Sequence, residues 1–177
     1  MKALKKVLLV ILIIIAIPLI IAIFVKKEYS VEREVVINKP QQEVFNYIRL
    51  VKNQENFSVW AMADPNMKTD LKGTDGTVGF IYAWDGNNDV GKGEIEIKNI
   101  IENERLDMEL RFIKPMEGKG DAFISTEAAS PTSTKVKWHM QGESSYPMNF
   151  MNLFIDGILG SDLQTSLDNL KNVMEKQ

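Results

Sequence analysis

The chain has 177 residues, 45% of them hydrophobic and 25% charged, enough for one domain of ordinary size and an additional segment. It has no cysteine and one histidine, His139, which excludes disulfides, thiolate metal sites, cysteine nucleophiles and a histidine metal cluster within one chain. Three lysines (Lys2, Lys5 and Lys6) precede the first apolar run, so the remainder carries 18 basic against 24 acidic residues, a net charge of −6. We therefore expect no binding to nucleic acid, which needs clustered lysine and arginine.

The first predicted element is an apolar helix over Val7–Val25. A run of about 20 apolar residues spans the hydrocarbon core of a bilayer. A secretory signal also begins with lysine, but its apolar run is shorter and ends in small residues, whereas this one ends in Phe24-Val25 before Lys26-Lys27. The pattern favours an uncleaved single-pass membrane anchor over residues 1–27, rather than a cleaved signal. The lysines before the run predict a cytoplasmic N-terminus, with the following domain outside the cytoplasm.

The predicted domain, residues 28–177, begins with an alternating strand over Val31–Ile37. Asn38-Lys39-Pro40 then favours the start of a helix, because proline is tolerated in the first turn. We expect this helix to end near Asn53. A second short helix or turn over Gln54–Trp60 follows.

Six further strands are predicted from alternating apolar and polar residues between turn sequences. They are Met67–Lys72, Val78–Trp84, Gly91–Ile101, Leu106–Phe112, Gly118–Ala129 and Val136–Gln141. The loop Asp85–Asp89 partly matches a calcium-binding loop, with Asp85, Asn87, Asp89 and Glu96 at ligand positions. Valine occupies the place where that loop requires glycine, and strands flank it, so we predict a plain hairpin loop and no metal site.

The last predicted element is a helix over Pro147–Met174, roughly 40 Å long at about 1.5 Å per residue. One apolar stripe runs along it, made of Leu159, Leu163, Leu167, Leu170 and Met174. Its first half is apolar nearly all round, which predicts that this half is enclosed. An antiparallel sheet with one dry face needs a cover, so we predict an α+β fold in which a curved sheet closes over this helix.

This order of elements resembles the helix-grip fold of the START-like superfamily, also called SRPBCC or the polyketide cyclase/dehydrase and lipid transport superfamily. The resemblance covers residues 29–176 and is carried by four stretches. They are the opening strand into Asn38–Ile48, Asn56–Trp60, the hairpin from Trp84 to Gly93, and the closing helix from Leu163 to Lys171. The resemblance implies a seven-stranded antiparallel sheet wrapped round the C-terminal helix, with an apolar cavity between them. Members bind lipids, hormones or polyketides, and a minority catalyse cyclisation or hydrolysis. The apolar N-terminal segment resembles that of a bacterial subset with a membrane anchor.

Side chains on the predicted inner face form a candidate ligand-binding wall. Its predicted members are Trp60, Phe80, Tyr82, Trp84, Met108, Leu110, Phe112, Trp138, Met140, Phe150, Met151, Phe154 and Ile158. Methionines suit a surface that accepts varied apolar shapes. Gly157 and Gly160 in the helix permit close backbone approach or leave room for a guest. Tight packing of helix on sheet remains the alternative, because core and cavity are lined by the same residue types.

No catalytic set of residues is visible in the sequence. His139 and the acidic residues of the strands fall on the outer face by alternation, whereas acid–base groups should converge in a pocket. Asp64 and Tyr82 are the polar groups expected inside the cavity or at its mouth. The favoured hypothesis is a membrane-tethered binding domain for a lipid or other hydrophobic small molecule, with no cofactor. The alternatives are a cyclase or hydrolase on the same fold and an interaction module with a filled core.

Overall fold

The computed structural model describes residues 2–176, and Met1 and Gln177 lie outside the described residues. The helices are α1 (Lys2–Phe24), α2 (Gln41–Ile48), α3 (Val59–Met62) and α4 (Ile155–Glu175), with two 3-10 helices at Val51–Asn56 and Met148–Leu153. The strands are β1 (Glu28–Ile37), β2 (Lys68–Lys72), β3 (Ile81–Asp85), β4 (Lys92–Ile101), β5 (Arg105–Lys114), β6 (Gly118–Ser130) and β7 (Ser133–Glu143).

The strands form one seven-stranded antiparallel sheet in the order β1-β7-β6-β5-β4-β3-β2. The predicted order of elements is confirmed, including the hairpin loop between β3 and β4. Strand β3 begins three residues later than the start predicted at Val78. The reason is a turn at Gly79, whose φ of +85° favours glycine and whose N–H donates to the Ile97 carbonyl.

The core lies between one face of the sheet and α4, with α2 beside it. The predicted stripe of α4 is buried at Leu163, Leu167, Leu170 and Met174. Every second residue is buried from Leu106 to Leu110 in β5 and from Thr134 to Met140 in β7, so their alternation fixes which face is dry. The prediction of an α+β helix-grip fold is confirmed.

Helix α1 is long and apolar enough to cross a membrane, and a signal sequence would satisfy the same criterion. Its apolar stretch Leu4–Phe24 has 21 residues, of which few are buried. Only three residues separate its end from the start of β1. The helix therefore sits at one end of the sheet, the end where β1 begins and β7 finishes.

The C-terminal helix differs from the prediction of a continuous element beginning at Pro147. A 3-10 helix occupies Met148–Leu153, and α4 starts only at Ile155. The predicted enclosure of its first half is wrong, since Met151, Phe154 and Ile158 are exposed. The physical reason is a competing partner: side chains of the 3-10 helix bond to the end of α1, which holds this segment against α1 rather than under the sheet.

The N-terminal part of α4 is fixed to β1 by an arginine. The Arg33 guanidinium donates to the Asp156 carboxylate and to the Asp156 carbonyl, each at 3.0 Å. This bond holds the pKa of Asp156 below its ordinary value. A side chain at Gly160 would overlap the same guanidinium. Gly160 thus makes room for Arg33, not for a guest, while Gly157 faces open space.

Candidate ligand cavity

A cavity of about 250 Å³ lies between the inner face of the sheet and the helices α3 and α4. Strand register places its floor in successive rows. One row, paired from strand to strand, holds Met140, Ala122 and Met108. The next row toward α1 holds Leu110 with Ile95, and Ile95 pairs in turn with Tyr82. The cavity is therefore built on the half of the sheet that is nearer to α1.

Eight of the thirteen predicted wall residues line this cavity. They are Trp60, Tyr82, Trp84, Met108, Leu110, Phe112, Trp138 and Met140. Trp84, Phe112 and Trp138 thus lie on the same side of the sheet, as predicted. The structure shows that these residues line the cavity. That they bind a ligand stays a prediction.

Five predicted wall residues do not line the cavity. Phe80 is fully buried in the core instead, because the turn at Gly79 places it ahead of β3. The other four, Phe150, Met151, Phe154 and Ile158, belong to the segment around the second 3-10 helix. The prediction treated this segment as one continuous helix. The break at Phe154 changes which side chains of the segment face the sheet, so these four residues do not reach the cavity.

Other lining residues were not predicted. They are Tyr29, Val51, Gln54, Ser58, Ala61, Met67, Val90, Ile95, Ala122, Ile155 and Leu159. Alternation along β4 and β6 carried enough signal to find Ile95 and Ala122, and Leu159 lies on the apolar stripe of α4. Those from the first 3-10 helix and α3 had no such signal, because very short helices show no reliable period.

One hydrogen-bond donor in the wall has no partner. Trp138 is only 3% exposed, and its Nε1–H has no acceptor among the described residues. A buried donor without a partner costs about 1–3 kcal/mol. This nitrogen is shielded by its neighbours, so the surface that a guest would touch is predominantly apolar.

The other polar groups of the wall are already engaged or are neutral. The Tyr82 hydroxyl donates to Glu55 Oε1 at 3.0 Å. Burial, followed by this bond, raises the pKa of Tyr82, so its phenol stays protonated and is a poor general base. Gln54 Nε2 lies 3.6 Å from the Met108 sulfur. Within residues 2–176 no carboxylate or imidazole lines the cavity.

Asp64 and His139 lie outside the cavity, and each contacts other parts of the fold there. Asp64, expected inside or at the mouth, accepts the backbone N–H groups of Asn66 at 3.1 Å and Asn87 at 2.8 Å, which fixes the β3–β4 loop. His139 lies on the outer face, as predicted, and is stacked on Phe123 with ring centroids 4.6 Å apart. Burial lowers the pKa of His139, so this imidazole is neutral near pH 7.

Several partly exposed members of the wall lie toward one end of the sheet. Trp84 and Phe112 meet edge to face at 6.3 Å, and Trp84 pairs with Gly93, where a side chain would overlap the indole ring. Ile155 and Leu159 stand at the N-terminal end of α4. Along the strand direction these residues lie toward the end of the sheet at which α1 joins β1.

Comparison with known proteins gives structural matches only. No family model and no curated protein matches the sequence. A norcoclaurine synthase from Thalictrum flavum, solved in complex with dopamine and hydroxybenzaldehyde, is similar with a TM-score of 0.64 and 11% identity, covering 89% of this chain and 92% of its own. Ara h 8.0201 is similar with a TM-score of 0.61 and 13% identity, covering 85% of this chain and 99% of its own. A protein from Chromobacterium violaceum gives 0.59 and 13%, covering 82% of this chain and 96% of its own.

At such low identity these matches bear on the fold alone. They extend over nearly the whole of each solved chain, so the similarity concerns the complete domain and not a shared fragment. Together with the observed sheet order and the buried stripe of α4, they establish that the chain has the helix-grip fold of START-like, SRPBCC-type proteins.

Proposed function

We propose that this protein is a membrane-anchored domain that binds a hydrophobic small molecule or part of a lipid in the cavity between sheet and α4. The observation that carries the proposal is the predominantly apolar cavity of about 250 Å³ between the sheet and the helices α3 and α4. Helix α1 is the anchor, and it holds the domain beside the bilayer.

The volume bounds the size of the guest. A cavity of about 150 Å³ admits benzene, so about 250 Å³ corresponds to a guest of roughly ten non-hydrogen atoms. This lies slightly under the range of roughly 300–1,000 Å³ common for ligand sites, so a small molecule or the end of one acyl chain fits, not a whole lipid. At about 0.3–0.8 kcal/mol per atom such a guest binds with a Kd between roughly millimolar and micromolar.

The enzyme alternative lacks support in this geometry. Acid–base catalysis in the cavity needs at least two convergent polar groups with suitably shifted pKa values. Asp64 is engaged by backbone N–H groups elsewhere, and Tyr82 is held protonated. The cavity of about 250 Å³ is smaller than the roughly 300 Å³ below which a filled interaction module is favoured, so this alternative keeps support and the binding test below decides between the two.

Tryptophan fluorescence gives a direct test. The chain has three tryptophans, and Trp60, Trp84 and Trp138 all line the cavity. A brominated guest quenches indole fluorescence on contact. We would titrate the full chain in lipid nanodiscs with 4-bromoacetophenone and, as a probe without an acceptor, with 4-bromo-ethylbenzene. We expect saturable quenching by both, with similar affinity after correction for partitioning, because burial of apolar area supplies the binding free energy.

A matched pair of variants separates cavity binding from unspecific quenching. Ala122→Leu narrows the cavity and should weaken quenching at least about tenfold. Val136→Leu, on the same inner face but outside the cavity, should leave it unchanged. Quenching that never saturates, or that both variants share with the unaltered chain, would count against a guest site.

A further inference from the structure

The apolar residues that turn away from the sheet form one exposed surface. We call it the juxtamembrane surface, and its residues are Met148, Met151, Leu153, Phe154 and Ile158. Their exposed fractions lie between 42% and 54%. Such a cluster of large exposed apolar side chains is typical of a surface that contacts a membrane or another molecule.

Hydrogen bonds fix this surface against the end of α1. Asn149 Nδ2 donates to the Ala22 carbonyl at 2.6 Å and to the Val25 carbonyl at 2.8 Å. Asn152 Nδ2 donates to the Lys26 and Lys27 carbonyls, at 3.0 and 2.7 Å. The last carbonyls of a helix have no partner within the helix, so Asn149 caps α1, while Asn152 fixes the connection that follows it. The domain and the helix are thereby held in one orientation rather than joined by a free tether.

The length of α1 sets the depth of this contact. Its 21 apolar residues, at about 1.5 Å each, extend about 32 Å, which matches a hydrocarbon core of about 30 Å and leaves no excess length. The end of α1 therefore lies at the boundary between hydrocarbon and headgroups. The Tyr146 hydroxyl lies 3.4 Å from the Leu19 carbonyl, five residues or about 8 Å before the helix ends. The Tyr146 side chain thus reaches below the boundary, and the bonds of Asn149 and Asn152 to carbonyls between Ala22 and Lys27 place the second 3-10 helix at the depth of the interface.

We propose that the juxtamembrane surface lies in the interfacial layer of the bilayer that α1 spans, as a second contact between the domain and the membrane. This inference rests on the anchoring part of the proposed function. The occupant is lipid because the surface continues directly from the end of α1. Because Ile155 and Leu159 of the adjoining turns line the cavity, this contact brings part of the cavity wall close to lipid.

Depth-dependent quenching tests the proposal on the full chain. The sequence has no cysteine, so each variant carries a single labelled site. We would introduce Met151→Cys and Phe154→Cys in the juxtamembrane surface, label them with an environment-sensitive fluorophore, and use nanodiscs with nitroxide lipids labelled near the headgroup. Ile101→Cys is the matched control, because Ile101 is 44% exposed but lies at the opposite end of the sheet. Ile14→Cys reports on α1 itself.

We expect quenching at positions 151 and 154 to exceed that at position 101 at least twofold. Nitroxides placed deep in the acyl chains should quench position 14 most strongly. If position 14 is quenched and positions 151 and 154 behave like position 101, the anchor stands and the second contact is refuted; this would also be the result if a protein partner covers the surface. If position 14 is not quenched, the anchor itself fails, and the inference fails with it.

Discussion

Filling the cavity from Ala122 gives the sharpest test of whether the interior has free space. Ala122 is 5% exposed and faces the cavity from the middle of β6. Replacing it with leucine adds three carbon atoms, each worth about 0.8 kcal/mol on burial, so the upper limit of the gain is about 2.4 kcal/mol. A tightly packed core would instead lose about 1–3 kcal/mol through strain. The sign of the change in the free energy of unfolding therefore distinguishes the two cases.

The measurement is urea unfolding of the full chain in nanodiscs, followed by tryptophan fluorescence. Ala122→Leu should be neutral or raise the free energy of unfolding by up to about 2 kcal/mol. Val136→Leu adds one methylene at a fully buried position outside the cavity and should cost about 1–3 kcal/mol. A comparable loss for both variants would refute the argument, because it would mean that Ala122 faces packed atoms.

Three further predictions concern the cap of α1, the space that Gly160 leaves for Arg33, and His139 on the outer face of the sheet. Asn149→Ala removes the donor to two carbonyls at the end of α1 and should lower stability by about 1–3 kcal/mol in nanodiscs, as measured by thermal unfolding; an unchanged midpoint would contradict the capping role. Gly157→Ala should gain about 1 kcal/mol of helix stability, whereas Gly160→Ala should gain none or lose stability, since its methyl group displaces the arginine; equal gains in urea unfolding would show that the arginine is not confined. His139, the single histidine, should titrate by NMR below its ordinary pKa of 6.5, and Phe123→Ala should raise that pKa by exposing the ring. Because the folded-state pKa is the lower one, the stability linked to this group is full above the unfolded-state pKa and is lost as pH falls through the folded-state value. An unaltered pKa in the variant would rule out burial against Phe123 as the cause.

The sheet was predictable from local patterns. A strand alternates its side chains between two faces, so β5 and β7 reveal their dry face in the sequence, and with it Met108, Leu110, Trp138 and Met140. The stripe Leu163, Leu167, Leu170 and Met174 showed which side of α4 is buried for the same reason. Seven of the eight confirmed wall residues followed from strand alternation without any knowledge of tertiary contacts, and the eighth, Trp60, lies in α3.

Local patterns did not predict which way the side chains from Met148 to Ile158 face. Its apolar composition indicated that it must be covered, and the sheet was the nearest cover in the predicted fold. In the structure, the amides of Asn149 and Asn152 bind carbonyls that lie more than 120 residues earlier in the chain. Such a contact leaves no periodic trace, because each partner is an ordinary residue in its own segment.

By itself the sequence determined the order of the elements, the dry face of each strand and the stripe by which α4 is held. Only the tertiary structure decided which apolar residues line the cavity, that Gly160 leaves room for Arg33, and that the 3-10 helix before α4 packs against α1. The physical reason is that burial of an apolar side chain is favourable against any apolar neighbour. The sheet, a bound guest and lipid all offer an apolar side chain a favourable place to be buried. The geometry of the fold alone decides which of the three it contacts.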